Sequence, residues 1–189
     1  MERKEAIKIV DDLVKSKNIR SHCLAAEAAM IALYDYFEKQ GKVDAGTRQD
    51  WGIVGLLHDA DYEITNKSLE LHTEETTKKL KEAGASKEIV DAVRGHADKE
   101  PRKTLMAKAI YAADEITGLI VAAALVRPDK KLEGLTVESV LKRFKEPAFA
   151  RSANREQIKT CETELGISLL EFTESILNSM KEISNEIGL

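Results

Sequence analysis

The segment that most limits how this chain can fold runs from Leu105 to Val126 (LMAKAIYAADEITGLIVAAALV), the most apolar stretch of the sequence, which two adjacent acids, Asp114 and Glu115, interrupt. It is too long for a strand and long enough for about six helical turns at roughly 1.5 Å per residue. Ile110 lies one turn before Asp114 and Val121 two turns after it, so on a helix the Asp114 face points inward. Burying a bare carboxylate costs several kcal/mol, which a cation or several donors must offset. An ion pair with an arginine such as Arg20 or Arg94 would serve; a bound divalent cation is the simpler partner.

The remainder also reads as helix. Three prolines and ten glycines punctuate 189 residues, and no apolar/polar alternation is long enough for a strand. The pattern predicts helices over about Glu2–Lys17, ended at Asn18, and Ile19–Gln40, with Ala26, Ala29, Leu33 and Phe37 on the apolar stripe. A third is capped by Thr47, turns Trp51, Val54 and Leu57 inward and ends near His58. Two short ones follow around His72–Ala83 and Ser86–Gly95, then Thr136–Phe144, Ala148–Cys161 and Ile167–Asn185. Arg127–Gly134 reads as a long surface connection inside one domain, 1–189, and all-α is the expected class. Cys23 and Cys161 lack C-x-x-C spacing and read as buried free thiols. A net charge of −4 disfavours long nucleic acid as partner, and with no apolar run long enough to span a membrane the expected location is cytoplasmic.

The four histidines carry the chemistry. His58-Asp59 closes the third helix, and His22 extends the apolar stripe of the second. A His-Asp dipeptide alone means little, since chance gives about 0.2 of them at this composition. With Asp114, however, two imidazoles and two carboxylates make the mixed donor set that suits manganese, iron, cobalt, nickel or zinc. Taken alone, His22 also fits a core histidine bonded to a carbonyl, and His72 and His96 also fit exposed loop positions.

The order His22, His58-Asp59, Asp114 on successive helices resembles the HD-domain phosphohydrolase superfamily. The segments GLLHDADYE (55–63), LELHTEE around His72, RGHAD around His96 and IYAADEITGLI (110–120) are similar to small stand-alone HD and HDIG-type hydrolases. The tail KRFKEPAFARSANREQIKTCETELGISLLEF is similar to their helical extension, so the resemblance spans most of the chain. The departure is Ala60-Asp61, where an HDIG motif has Ile-Gly. The resemblance implies a helical bundle of HD type, with a metal-binding core over about 19–126 and extra C-terminal helices over about 135–189. It also implies that His22, His58, Asp59 and Asp114 hold one divalent ion and that Asp59, His72 and His96 hold a second.

The implied activity is hydrolysis of a phosphomonoester or phosphodiester in a nucleotide-like small molecule by metal-activated water. A non-catalytic metal- or nucleotide-binding module and, further off, a diiron oxygenase are the competing readings. Such a site calls for cations to hold phosphate, and Arg94, Lys99, Arg102 and Lys103 surround His96. Arg151 and Arg155 lie four apart, hence on one face of a predicted helix. Asp61 could orient the attacking water as a catalytic residue, or equally cap the following turn.

Overall fold

The computed structural model describes residues 1–189 and contains ten helices and no strand. They are α1 (Arg3–Leu13), α2 (Lys17–Glu38), α3 (Arg48–Leu57), α4 (Glu74–Glu82), α5 (Lys87–His96), α6 (Leu105–Leu125), α7 (Val137–Phe144), α8 (Arg155–Thr163), α9 (Leu169–Glu182) and α10 (Ser184–Ile187). No helix is long and apolar enough to cross a membrane.

The apolar helix α6 lies at the centre, with α2, α5, α7 and α8 packed around it, because it carries buried residues on nearly every face. Its start is set by Thr104, whose hydroxyl accepts the Ala107 N–H at 3.2 Å. The same chemistry starts α3, where Thr47 Oγ1 accepts the Asp50 N–H at 3.2 Å and Asp50 returns the bond to the Thr47 N–H at 2.8 Å. Trp51, Val54 and Leu57 are fully buried, as are Ala26, Ala29 and Leu33 on the facing stripe of α2.

Helices α2 and α3 meet at a glycine. A Cβ on Gly55 would stand 2.4 Å from the Ala26 carbonyl oxygen, a distance no side chain can occupy. Gly55 therefore sets how close the two helices come. His22 lies one turn before Ala26 and His58 three residues after Gly55, so this close approach brings both imidazoles to one end of the pair.

Several boundaries differ from the sequence reading, each for a local reason. Helix α1 stops at Leu13, not Asn18, because the Glu63 carboxylate accepts the N–H groups of Lys15 and Ser16 at 2.9 and 2.8 Å and turns the chain there. Asn18 belongs to the first turn of α2. Helix α4 starts at Glu74, leaving His72 outside it, with Thr73 in left-handed conformation at φ 69°. Helix α8 starts at Arg155, not Ala148, because Asn154 caps it by accepting the N–H groups of Glu156 and Gln157 at 3.1 and 3.2 Å. The last predicted helix splits at Ile183 into α9 and α10. The connection after α6 is not wholly superficial, since Leu132 is fully buried. Cys23 and Cys161 are buried free thiols.

Gly55→Ala should cost about 1–3 kcal/mol of stability, the usual penalty for overpacking. Gly118→Ala, on an exposed face of α6 with open space around it, should add up to about 1 kcal/mol by removing backbone freedom from the unfolded chain. Urea midpoints measure both; equal midpoints would mean that α2 and α3 do not touch at Gly55.

Candidate metal centre

The ends of helices deliver two of the four histidines. His58 is the residue at which α3 ends and His96 is the last residue of α5. The final carbonyls of a helix lack backbone donors, and each of these rings supplies one. His58 Nδ1 bonds the Gly55 carbonyl at 2.8 Å, and His96 Nδ1 bonds the Val93 carbonyl. Because a carbonyl only accepts, both rings carry their proton on Nδ1, and Nε2 is left with a bare lone pair.

The other two rings are held by the same rule. His72 Nδ1 lies 2.9 Å from Asp61 Oδ1. Thr117 gives its hydroxyl proton to the Asp114 carbonyl at 2.7 Å, which leaves its oxygen to accept from His22 Nδ1 at 3.4 Å. All four Nδ1 atoms thus face protein acceptors and all four Nε2 atoms turn inward.

The inward nitrogens fall into two groups. His22 and His58 Nε2 are 3.1 Å apart, and both approach Asp114 Oδ1, at 3.0 and 3.4 Å. His72 and His96 Nε2 are 3.0 Å apart. Asp59 joins the groups: its Oδ1 lies 3.1 Å from His72 and 3.4 Å from His96, while its Oδ2 lies 3.6 Å from His22 and 3.9 Å from His58. The six residues predicted as ligands are therefore brought together as His22, His58, Asp59, Asp114 and as Asp59, His72, His96, and each group could hold a metal ion.

The donor chemistry fits a cation. Two Nδ1-protonated imidazoles cannot hydrogen-bond each other through Nε2, so lone pairs near 3 Å repel unless a positive charge lies between them. Two nitrogens each about 2.1 Å from one ion stand about 3.0 Å apart when the angle between them is near 90°. Without a metal, protons take that place. Burial opposes a charged His22, but its bond to Asp114 and the charges of Asp114 and Asp59 prevail and raise its pKa to about 9. His72 is likewise opposed by burial and raised to about 9 by Asp59 and Asp61. The carboxyls of Asp59 and Asp114, for which burial alone would raise the pKa, are held below the usual range by the imidazoles around them.

No arginine or lysine partners the two carboxylates. Arg20 bonds Asp11, and Arg94 bonds Glu74 at 3.1 Å with Glu100 at 3.7 Å. Asp59 and Asp114 are only 16% and 19% exposed, so the imidazoles and what they bind must carry the compensation.

Most of the cations expected to hold phosphate have protein partners. Lys99 donates to the Glu70 and His72 carbonyls and to Glu74, tying down the loop that carries His72. Arg102 bonds the Gly95 carbonyl at 3.0 Å and stacks 3.6 Å over the Tyr111 ring. Arg155 donates to five carbonyls between Phe144 and Ala153, which fixes the turns before α8. Arg151 is exposed in those turns, off any helix, so it shares no helical face with Arg155. Lys103 is exposed too.

Asp61 caps the start of α4. It is fully buried, and besides His72 it accepts the N–H groups of Thr73 at 2.9 Å and Thr76 at 3.0 Å, at the start of α4. Burial would raise its pKa, but these bonds lower it. The ligands open onto a cavity of about 810 Å³ whose walls also include Tyr62, Leu69, Glu115 and Gln157. Sequence reasoning noted Glu115 only as an interruption and missed Thr117, whose spacing of three from Asp114 places it on the same helical face. Gln157 left no signal. Comparison with protein-family models, curated proteins and solved structures finds no match.

In the metal-free protein, the stabilisation from protonated His22 and His72 is full below pH 6.5 and fades as pH rises through about 9. Metal binding must displace those protons and strengthens over the same range. The rise in Tm on adding manganese should accordingly be larger at pH 8 than at pH 6, as scanning calorimetry would measure; a rise independent of pH would remove histidine from the ligand set. Asp61→Ala should cost about 3 kcal/mol in a urea titration, since it strips three bonds from one buried group.

Proposed function

We propose that the protein is a divalent-metal-dependent phosphohydrolase of HD type, working in the cytoplasm on a phosphomonoester or phosphodiester of a nucleotide-like small molecule. The observation that carries this reading is the division of Asp59 between two histidine pairs, one oxygen to each. A carboxylate so placed suits bridging of two ions, drawn from manganese, iron, cobalt, nickel or zinc.

When bound, such ions supply a nucleophilic hydroxide near neutral pH and neutralise charge on phosphoryl oxygens. The chain's own residues do the rest. Nδ1 bonds to Gly55, Val93, Asp61 and Thr117 lock each ring, so that little rearrangement is needed on loading. Helices cover one side of the donor set while the cavity leaves the other open to an ester. Arg94, Lys99, Arg102 and Arg155 are engaged elsewhere and would add little charge beside the phosphoryl group, while Arg151 stays exposed between the cavity residues Ala150 and Ser152.

The test is elemental analysis of protein purified without added metal, then a phosphatase and phosphodiesterase screen with manganese. Asp59→Ala should lower manganese-dependent turnover at least about a hundredfold, as Asp59 is the one residue that would serve both ligand groups. His72→Ala with His96→Ala should remove about half the metal and leave the first group of ligands loaded. Metal far below one per chain, together with no turnover that Asp59→Ala abolishes, would sink the proposal in favour of a binding module.

A further inference from the structure

The cavity beside the metal ligands contains a polar wall that the reaction itself does not require. Glu115 Oε2 accepts the Asn154 N–H at 2.9 Å, and no protein group donates to Oε1. Gln157 gives its amide N–H to the Tyr111 carbonyl at 2.8 Å, so the oxygen end of that amide is turned away from the carbonyl and also lacks a donor. Both side chains line the cavity. Each is fixed at one end by a bond between α6 and the start of α8, and presents an acceptor at the other. A ligand that fills this space gains by bringing N–H or O–H donors and loses by bringing acceptors alone.

Charge narrows the class further. No lysine or arginine lines the cavity, while Asp98 and Glu115 do, in addition to the ligand carboxylates Asp59 and Asp114. Four carboxylates, Asp59, Asp98, Asp114 and Glu115, thus face the space a phosphate would enter, and any ions held by the ligands would be the first charge to offset it. A second phosphate would stand beside Asp98 and Glu115 with no lysine or arginine in the lining to offset it, Arg151 between the lining residues Ala150 and Ser152 being turned out to solvent.

Resting on the phosphohydrolase reading, we propose that the substrate carries a single phosphoryl group on an alcohol whose hydroxyl or amino donors are read by Glu115 and Gln157, and that the cavity rejects a second phosphate. Glu115 is then a specificity-determining residue, distinct from the metal ligand beside it.

Steady-state kinetics of the manganese-loaded full chain test this with four probes: ribose 5-phosphate for hydroxyl donors, O-phosphoethanolamine for an amino donor, p-nitrophenyl phosphate with no donor, and pyrophosphate with a second charge. Glu115→Gln keeps an oxygen for the Asn154 N–H and removes the charged acceptor. It should lower the preference for a donor-bearing ester over p-nitrophenyl phosphate about tenfold, through KM more than kcat, as expected for one lost bond to a charged group. Which preference falls identifies the hydroxyl or the amino source. Calorimetry should find inorganic phosphate binding the loaded protein at least about tenfold more tightly than pyrophosphate. An unchanged preference in Glu115→Gln, or tighter binding of pyrophosphate, would overturn the proposal while leaving the hydrolase reading intact. No turnover by the wild type, with any divalent metal, of any of the four probes or of the diester bis-p-nitrophenyl phosphate would instead overturn that reading, and this one with it.

Discussion

Two carboxylates, Asp59 and Asp114, lie in the interior of a helical bundle without a lysine or arginine beside them, and the surrounding structure is organised around that cost. Four imidazoles supply the nearest compensation, and every one of the chain's histidines is used for it. A neutral imidazole offers a lone pair, not a charge, so the cluster is incomplete until a cation or protons enter. The protonated cluster and a metal-loaded one are alternatives that compete for the same nitrogens. The arginines that could have ended that competition are tied to Asp11, Glu74 and backbone carbonyls.

The bundle solves the placement problem with helix termini. A helix end leaves carbonyls without donors, and a histidine there both satisfies one and points its second nitrogen away from the helix. Two of the four rings are set this way. Asp61 achieves the third placement from outside: one buried carboxylate caps α4 and fixes the ring of His72, so the start of a helix and the aim of a ligand share one group. The fourth ring, His22, lies within α2, where Gly55 lets α3 approach closely enough for His58 to reach it. Stability and site geometry therefore depend on the same few contacts.

Much of this was legible in the sequence because it follows from periodicity. The apolar faces of α2, α3 and α6 predict which way His22 and Asp114 point, and Thr47 and Ser86 mark the starts of α3 and α5. What periodicity does not encode is contact between distant segments. The early end of α1 depends on Glu63, 48 residues from Lys15, and the late start of α8 on Asn154 outcompeting the apolar residues before it. The partners of the cations were hidden for the same reason. Arg94, Lys99, Arg102 and Arg155 have the composition of a phosphate site, but their partners are carbonyls and carboxylates that no local pattern reveals. Asp61 was legible as a capping residue but not as the partner of His72, eleven positions on.

On the proposed hydrolase reading, the engagement of those four cations shapes the chemistry of the site. A phosphate pocket lined with arginine binds substrate and transition state by the same charges, and gains little for the chemical step unless those charges move. On that hydrolase reading, no lysine or arginine lines the cavity, and the positive charge that would meet a phosphoryl oxygen would come first from ions held at the His and Asp cluster. The remaining wall is then free to recognise the rest of the molecule. Glu115 follows Asp114 on the same helix, so one turn of α6 sets both the charge at the cluster and the polarity of the wall beside it. Binding and chemistry would in this way be divided between adjacent residues of one helix, and altering specificity need not disturb the ligand set.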